Sequence, residues 1–157
     1  MKKVMVVGAG TMGLDIAQTF AKAGFEVVVR DISDEIVKRS EDRLNKGLDK
    51  QIAKGKLDET GKSVITSKMS FTTDLNKASD VDLVIEAAIE DLKIKQSIFA
   101  ELDGLCKPET ILASNTSSIS TTAIASATKR PDKFIGMNFF DPATVMKLVE
   151  EIGRAHV

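Results

Sequence analysis

The chain has 157 residues, 43% of them hydrophobic and 29% charged, a balance that suits one soluble globular domain with a core of its own. A net charge of −1 leaves no electrostatic footprint for nucleic acid or an anionic membrane, no apolar run is long enough to span a bilayer, and Met1-Lys2-Lys3 leads into a strand with no signal peptide. A single cysteine, Cys106, excludes an internal disulfide and a multi-cysteine metal site, so no metal is expected and a reducing, cytoplasmic setting fits.

Val4-Met5-Val6-Val7 predicts a strand feeding straight into Gly8-Ala9-Gly10-Thr11-Met12-Gly13, after which the apolar spacing turns helical. In a strand–turn–helix setting, Gly-x-Gly-x-x-Gly binds a dinucleotide, and each glycine has a mechanical task. Gly8 permits the tight turn, Gly10 lets backbone approach a pyrophosphate, and Gly13 lets the helix pack close to the strand. Free N–H groups at the helix start then meet the phosphates. All six residues of the motif are therefore candidate cofactor contacts. Leu14, Ile16, Ala17, Phe20 and Ala21 mark the inner face of that helix, and Gly24 ends it. A second strand over residues 26–30 ends at Asp31, about 20 residues beyond the glycines, where a carboxylate accepts both ribose hydroxyls. The same carboxylate repels a 2′-phosphate and favours NAD over NADP, although Arg30 beside it could meet that phosphate. The alternative is a structural turn with Asp31 as a helix cap.

Ser33 is the expected N-cap of a long polar helix over residues 34–54, interrupted at Gly47. Leu44, Leu48 and Ile52 share one face of it, and Lys46, Lys50 and Lys54 another. A short helix is expected over residues 59–67, a strand over 69–72, and a buried parallel strand over 81–86. Residues 91–103 follow as a helix with Ile94, Ile98, Phe99 and Leu102 inward, then a strand over 110–113 ending in Ser114-Asn115-Thr116-Ser117-Ser118. A short helix over 119–127, a strand over 134–140 and one more over 145–150 complete the pattern. Alternating strands and helices predict an α/β fold of Rossmann type, a doubly wound, mainly parallel sheet. Ligands of such sheets lie at the carboxyl ends of the strands, where the glycine loop, Asp31, Glu90, residues 115–117 and Asn138 fall.

Residues 7–13, Asp31, residues 83–88 with Glu90 and Lys95, residues 111–118 (Ile-Leu-Ala-Ser-Asn-Thr-Ser-Ser) and residues 145–150 (Val-Met-Lys-Leu-Val-Glu) resemble the NAD-binding half of the short-chain 3-hydroxyacyl-CoA dehydrogenases. The resemblance runs along almost the whole chain. Ala-Ser-Asn-Thr-Ser-Ser joined to Phe-Phe-x-Pro is far more specific than the glycines alone. The resemblance implies an NAD-binding Rossmann domain over residues 1–150, with the helical pair after Asp31 projecting from the sheet. It also implies reversible hydride transfer between NAD and C3 of a (3S)-3-hydroxyacyl-CoA, such as 3-hydroxybutyryl-CoA, in fatty acid or butanoate metabolism. By the same resemblance Ser117 bonds the reacting C3 oxygen and also lies at the cofactor, and Glu150 orients and charges the catalytic base. Glu90 and Lys95 contact the cofactor, Asn115 lies by the nicotinamide, and Lys54 meets the phosphates of an acyl-CoA partner. From charge pattern alone Lys54 reads as part of a solvated helix face, and Ser117 can serve as a helix N-cap.

The chain departs from the family at residues 138–144, where His-Phe-Phe-Asn-Pro-x-Pro becomes Asn-Phe-Phe-Asp-Pro-Ala-Thr. Asn138, a catalytic position, thus carries an amide with no proton to trade near neutral pH, and losing a general base costs about 10²–10⁴-fold in rate. Asp141 adds a negative charge beside the cofactor. Residues 151–157 have no counterpart in the family pattern and back-translate to the opening of a common sequencing adapter. The tail, with the sole histidine His156, is therefore expected to be adapter-derived and the departures beside it to be read errors. The chain is expected to be a fragment without the family's helical C-terminal domain, which closes over the acyl group and forms a homodimer. The face that would meet that domain should be apolar, exposed and prone to aggregate. The expected behaviour is NAD binding with little turnover. One rival is an inactive dinucleotide- or acyl-CoA-binding module with a genuine Asn138; another is a Rossmann dehydrogenase for a different 3-hydroxy acid.

Overall fold

A computed structural model of the protein describes residues 1–153. Strands β1 (Lys3–Val7), β2 (Glu26–Arg30), β3 (Met69–Thr72), β4 (Leu83–Glu86), β5 (Ile111–Ser114) and β6 (Phe134–Phe139) run parallel, and β7 (Val149–Ile152) pairs antiparallel to β6. They form one sheet in the order β3-β2-β1-β4-β5-β6-β7. Successive side chains point to opposite faces, so Val4 and Val6 join Val27, Val29 and Leu83 on one side, while Met5 and Val7 join Val28, Val84 and Leu112 on the other. Helices α1 (Thr11–Lys22), α2 (Asp34–Ala53) and α3 (Glu59–Lys68) supply Ile16, Ala17, Leu44, Leu48 and Ile65 to the first core. Helices α4 (Leu92–Leu105) and α5 (Thr121–Ala125) supply Phe99, Leu102 and Ile124 to the second. Two covered faces are the reason β1, β2 and β4 read as apolar runs. This is the doubly wound arrangement expected. The chain winds outward from β1 to β3 and returns to β4 on the other side of β1, so the order reverses between β1 and β4 and opens a crevice at their carboxyl ends.

Ser33 caps α2 as expected, accepting the Ile36 N–H at 3.2 Å. Gly47 does not interrupt that helix. Leu44 and Leu48 on either side of it are buried, which outweighs the roughly 1 kcal/mol a helical glycine costs. The inward face of α4 is also corrected. Phe99 and Leu102 are buried, but Ile94 is 40% exposed and Lys95 is 1% exposed, because Lys95 has a carboxylate partner inside the fold. A 3-10 helix over Leu75–Asp80, which the sequence pattern did not reveal, precedes β4 and delays its start to Leu83. The last strand is shifted too. Val145 and Met146 donate to the Pro142 carbonyl at 3.0 and 2.9 Å, so this segment turns, and pairing starts at Val149 opposite Phe139. β7 includes Glu151 and Ile152, while residues 154–157, with His156, lie outside the described residues. Among the described residues no helix is long and apolar enough to cross a membrane.

Candidate functional site

The glycine loop leaves β1 with Gly8 at φ 111°, its N–H donating to the Arg30 carbonyl at 2.8 Å. A Cβ on Gly8 would lie 2.5 Å from the Ala87 carbonyl oxygen, and one on Gly13 would lie 1.8 Å from the Gly8 oxygen. Those two glycines are demanded by the fold itself. Gly10 differs: its φ of −68° suits any residue, and a Cβ there would meet nothing within 4 Å. An open cradle at the start of a helix is what a close-approaching ligand requires. α1 agrees with this. α2, α3, α4 and α5 have side-chain caps from Ser33, Asp58, Asp91 and Ser120, whereas α1 has none and no acid in its first turn. Its leading N–H groups and dipole are left for an anion, and the residues present fit a dinucleotide pyrophosphate. Arg43, which the sequence reading missed, adds a cation there by donating to Thr11 Oγ1 at 3.0 Å.

Asp31 stands at the end of β2 and caps no helix. Its carboxylate accepts the Ala9 N–H and the Ile32 N–H, both at 2.7 Å, tying the glycine loop to the neighbouring strand. Each oxygen keeps a lone pair for a hydroxyl. Arg30 is engaged with the Thr73 carbonyl at 3.2 Å. A cleft of about 590 Å³ opens between Asp31 and the loop after β4. Ile32, Ile89 and Ile94, all exposed, line it, so the misassigned Ile94 serves the cleft rather than the core. Apolar walls beside a carboxylate with lone pairs to spare suit a nucleoside.

On the far side of the glycine loop lies a polar network inside the fold. Glu86, fully buried at the end of β4, accepts Lys95 Nζ at 2.7 Å and the Ala88 N–H at 2.6 Å on one oxygen, and the Ser114 hydroxyl at 2.6 Å on the other. Lys95 also pairs with Glu90 at 3.2 Å, and Glu90 accepts the hydroxyls of Thr116 and, at 3.3 Å, Ser118. Desolvation raises the Glu90 carboxyl pKa, but the Thr116 bond, Lys95 and Ser118 outweigh it and hold it below the ordinary range. Glu90, Lys95 and Thr116, within residues 115–117, were expected at the site; Glu86 and Ser114 were not. The available signal was a glutamate closing an otherwise apolar strand, nine positions before a lysine on the next helix.

Asn115 bonds the Phe139 N–H at 2.8 Å, bringing the loop after β5 to the end of β6. Ser117 is exposed on that loop and does not cap α5, a role taken by Ser120. Asn138 faces Glu150 as a direct cross-strand neighbour in the β6–β7 ladder. Asp141 is exposed after β6 and lies near enough to Asp15 of α1 to act on it. Burial, then the Asp141 charge, raise the Asp15 carboxyl pKa. Lys54 is exposed at the end of α2, and no hydrogen bond or ion pair joins it to the rest of the site. Cys106 is buried at the end of α4, its thiol pushed up to about 11 chiefly by that burial, which keeps it inert near neutral pH. Among the described residues no group of side chains could hold a metal ion.

The family described as "3-hydroxyacyl-CoA dehydrogenase, NAD binding domain" matches residues 3–157. The 3-hydroxybutyryl-CoA dehydrogenase of Clostridioides difficile is 49% identical over 150 residues, covering 96% of this chain and 53% of that protein. A probable 3-hydroxybutyryl-CoA dehydrogenase of Bacillus subtilis is 46% identical over 152 residues, covering 97% and 53%. The crystal structure of (S)-3-hydroxybutyryl-CoA dehydrogenase PaaH1 from Ralstonia eutropha superposes with a TM-score of 0.94 at 44% identity, over 98% of this chain and 54% of that one. The chain spans about half the length of the curated relatives it matches.

Proposed function

This chain belongs to the family of 3-hydroxyacyl-CoA dehydrogenase NAD-binding domains, and we propose that it is the NAD(H)-binding half of an enzyme interconverting (3S)-3-hydroxyacyl-CoA, 3-hydroxybutyryl-CoA in particular, and 3-oxoacyl-CoA. The observation that carries this is Gly10: a glycine the fold does not need, at the head of the α-helix without a side-chain cap. NAD supplies the hydride acceptor when bound. Asp31 takes the ribose hydroxyls, and its negative charge favours NAD over NADP. Glu90, Lys95 and Asn115 flank the cofactor, Ser117 donates to the C3 oxygen, and Lys54 meets the CoA phosphates. In the complete enzyme two copies pair through the part beyond this domain.

Asn138 favours a second reading. Its amide faces Glu150, the arrangement in which a carboxylate would orient an imidazole. An amide there can hold a carbonyl oxygen but cannot take the hydroxyl proton, so this chain binds cofactor with little turnover. A natural protein with this residue would be a dinucleotide- or acyl-CoA-binding module. Fluorescence titration decides the cofactor: NADH should bind more tightly than NADPH, and the reverse order or no binding would overturn the assignment. For the reaction, Asn138→His in a chain of the relatives' full length should oxidise NADH with acetoacetyl-CoA. A folded, NADH-binding protein without that activity would leave only the binding module.

A further inference from the structure

We propose that Glu86 is the positioning residue of the dinucleotide site, acting through Lys95; this rests on the cofactor reading above. Glu86 lies at the strand where the winding reverses, with Val7 of β1 opposite on one side and Ser114 of β5 on the other. Its side chain takes three donors from three different segments: the Ala88 N–H of the loop after β4, Lys95 of α4, and Ser114 at the end of β5. The Glu86 backbone carbonyl accepts the Asn115 N–H at 2.8 Å. The loop after β4, α4 and the loop after β5, which carry Glu90, Lys95 and Asn115, therefore all hang on this one residue.

The chain of contacts leads outward from buried to exposed. Glu86 is fully buried and holds Lys95, Lys95 holds Glu90, and Glu90 stands 41% exposed with the hydroxyls of Thr116 and Ser118 on its other oxygen. The Ser114 hydroxyl, donating to Glu86, also receives the Thr116 N–H at 3.3 Å, so the two loops close into a ring. A core needs no such device for stability, since apolar residues of similar volume serve as well as a buried ion pair. What the pair adds is direction. A carboxylate with three fixed donors holds the ammonium in one place, and the ammonium fixes the partly exposed carboxylate. Ala87 donates its N–H to the Val7 carbonyl at 2.8 Å and Ala88 beside it is held by Glu86, and on this turn a Cβ on Gly8 would strike the Ala87 carbonyl.

The test is a double-mutant cycle on the whole chain, read by NADH titration and thermal melting. Glu86→Gln should weaken NADH binding by about tenfold or more and lower Tm. In a Lys95→Met background the same substitution should leave NADH affinity unchanged and raise Tm, because it removes a carboxylate left buried without its partner. A residue that merely fills the core would impose the same affinity loss in both backgrounds. That result, or an NADH affinity matching the parent in a folded Glu86→Gln chain, overturns the proposal. If Glu86→Gln shows no melting transition, Glu86→Asp decides, since it keeps the charge but draws the carboxylate back from Lys95. Its NADH affinity should fall about threefold, and no change overturns the proposal. A parent chain that binds no NADH overturns the cofactor reading and takes this inference with it, whereas a parent that binds with insensitive variants sinks this inference alone.

Discussion

The two ends of the crevice are built differently. At the β1–β4 end, backbone and buried side chains over-determine the geometry. Gly8 and Gly13 are held against carbonyl oxygens, Asp31 is tied to Ala9, and Glu86 is clamped by three donors. At the β6–β7 end the candidate catalytic groups Asn138 and Glu150 sit on an antiparallel edge whose last strand is exposed at every residue. Val145, Met146, Leu148, Val149 and Ile152 all show more than two-fifths of their surface to solvent. The first end is a finished site whose residues hold one another. The second rests on the β6–β7 register and the Asn115 bond to Phe139, and its apolar strip lies exposed.

The largest contrast should come from charge removal. Lys95→Met strands the Glu86 carboxylate inside the fold and should cost about 3–5 kcal/mol. Glu150→Gln, on the exposed edge, should stay within about 0.5 kcal/mol. Chemical denaturation of both measures this, and equal losses would erase the distinction between the ends.

The glycines sharpen it further. Gly13→Ala forces a methyl group toward the Gly8 carbonyl and should destabilise by about 3 kcal/mol. Gly10→Ala should leave stability within about 0.5 kcal/mol while weakening NADH binding by about tenfold. Unfolding curves and NADH titration on the same two samples test this pair, and a destabilised Gly10→Ala with intact NADH affinity would reverse the roles assigned here.

Smaller effects belong to the open end. Leu148→Lys should reduce concentration-dependent self-association in sedimentation, with stability moving by less than about 0.5 kcal/mol. Unchanged association would mean the strip is not adhesive.

Asp141→Asn should act through Asp15. The Asp15 carboxyl pKa is raised in the folded chain, so its contribution to stability is fully present below about pH 3.8, its ordinary value, and is lost as pH rises through the folded value. Burial is the larger cause and Asp141 the next. Removing the Asp141 charge should shrink that loss, leaving the variant more stable near neutral pH by less than about 1 kcal/mol. The Tm advantage of the variant over the parent should grow from pH 4 to 7, and parallel melting curves would deny the coupling.

Most elements were legible in the sequence because their determinants are local. Apolar runs set β1 and β2, glycine spacing set the turn into α1, and Ser33 announced α2. Functional groups at strand ends were legible for the same reason, since order along the chain dictates which loops share an edge of the sheet. Glu86 was not, because a glutamate at the end of an apolar run reads as a strand leaving the core until Lys95, Ser114 and Ala88 are seen to converge on it.

By itself, then, the sequence determined the alternation of strands and helices, the doubly wound α/β class and the jobs of Gly8 and Gly13, all consequences of backbone sterics and hydrophobic period. Tertiary structure alone decided that Lys95 turns inward and Ile94 outward, that α2 runs through Gly47, and that Ser120 rather than Ser117 caps α5. Apart from the Ser120 cap, which bonds the Ala123 N–H three residues on, those outcomes depend on a partner distant in the chain. Local propensity differs by less than about 1 kcal/mol between such alternatives, and a buried ion pair or two buried leucines outweigh it.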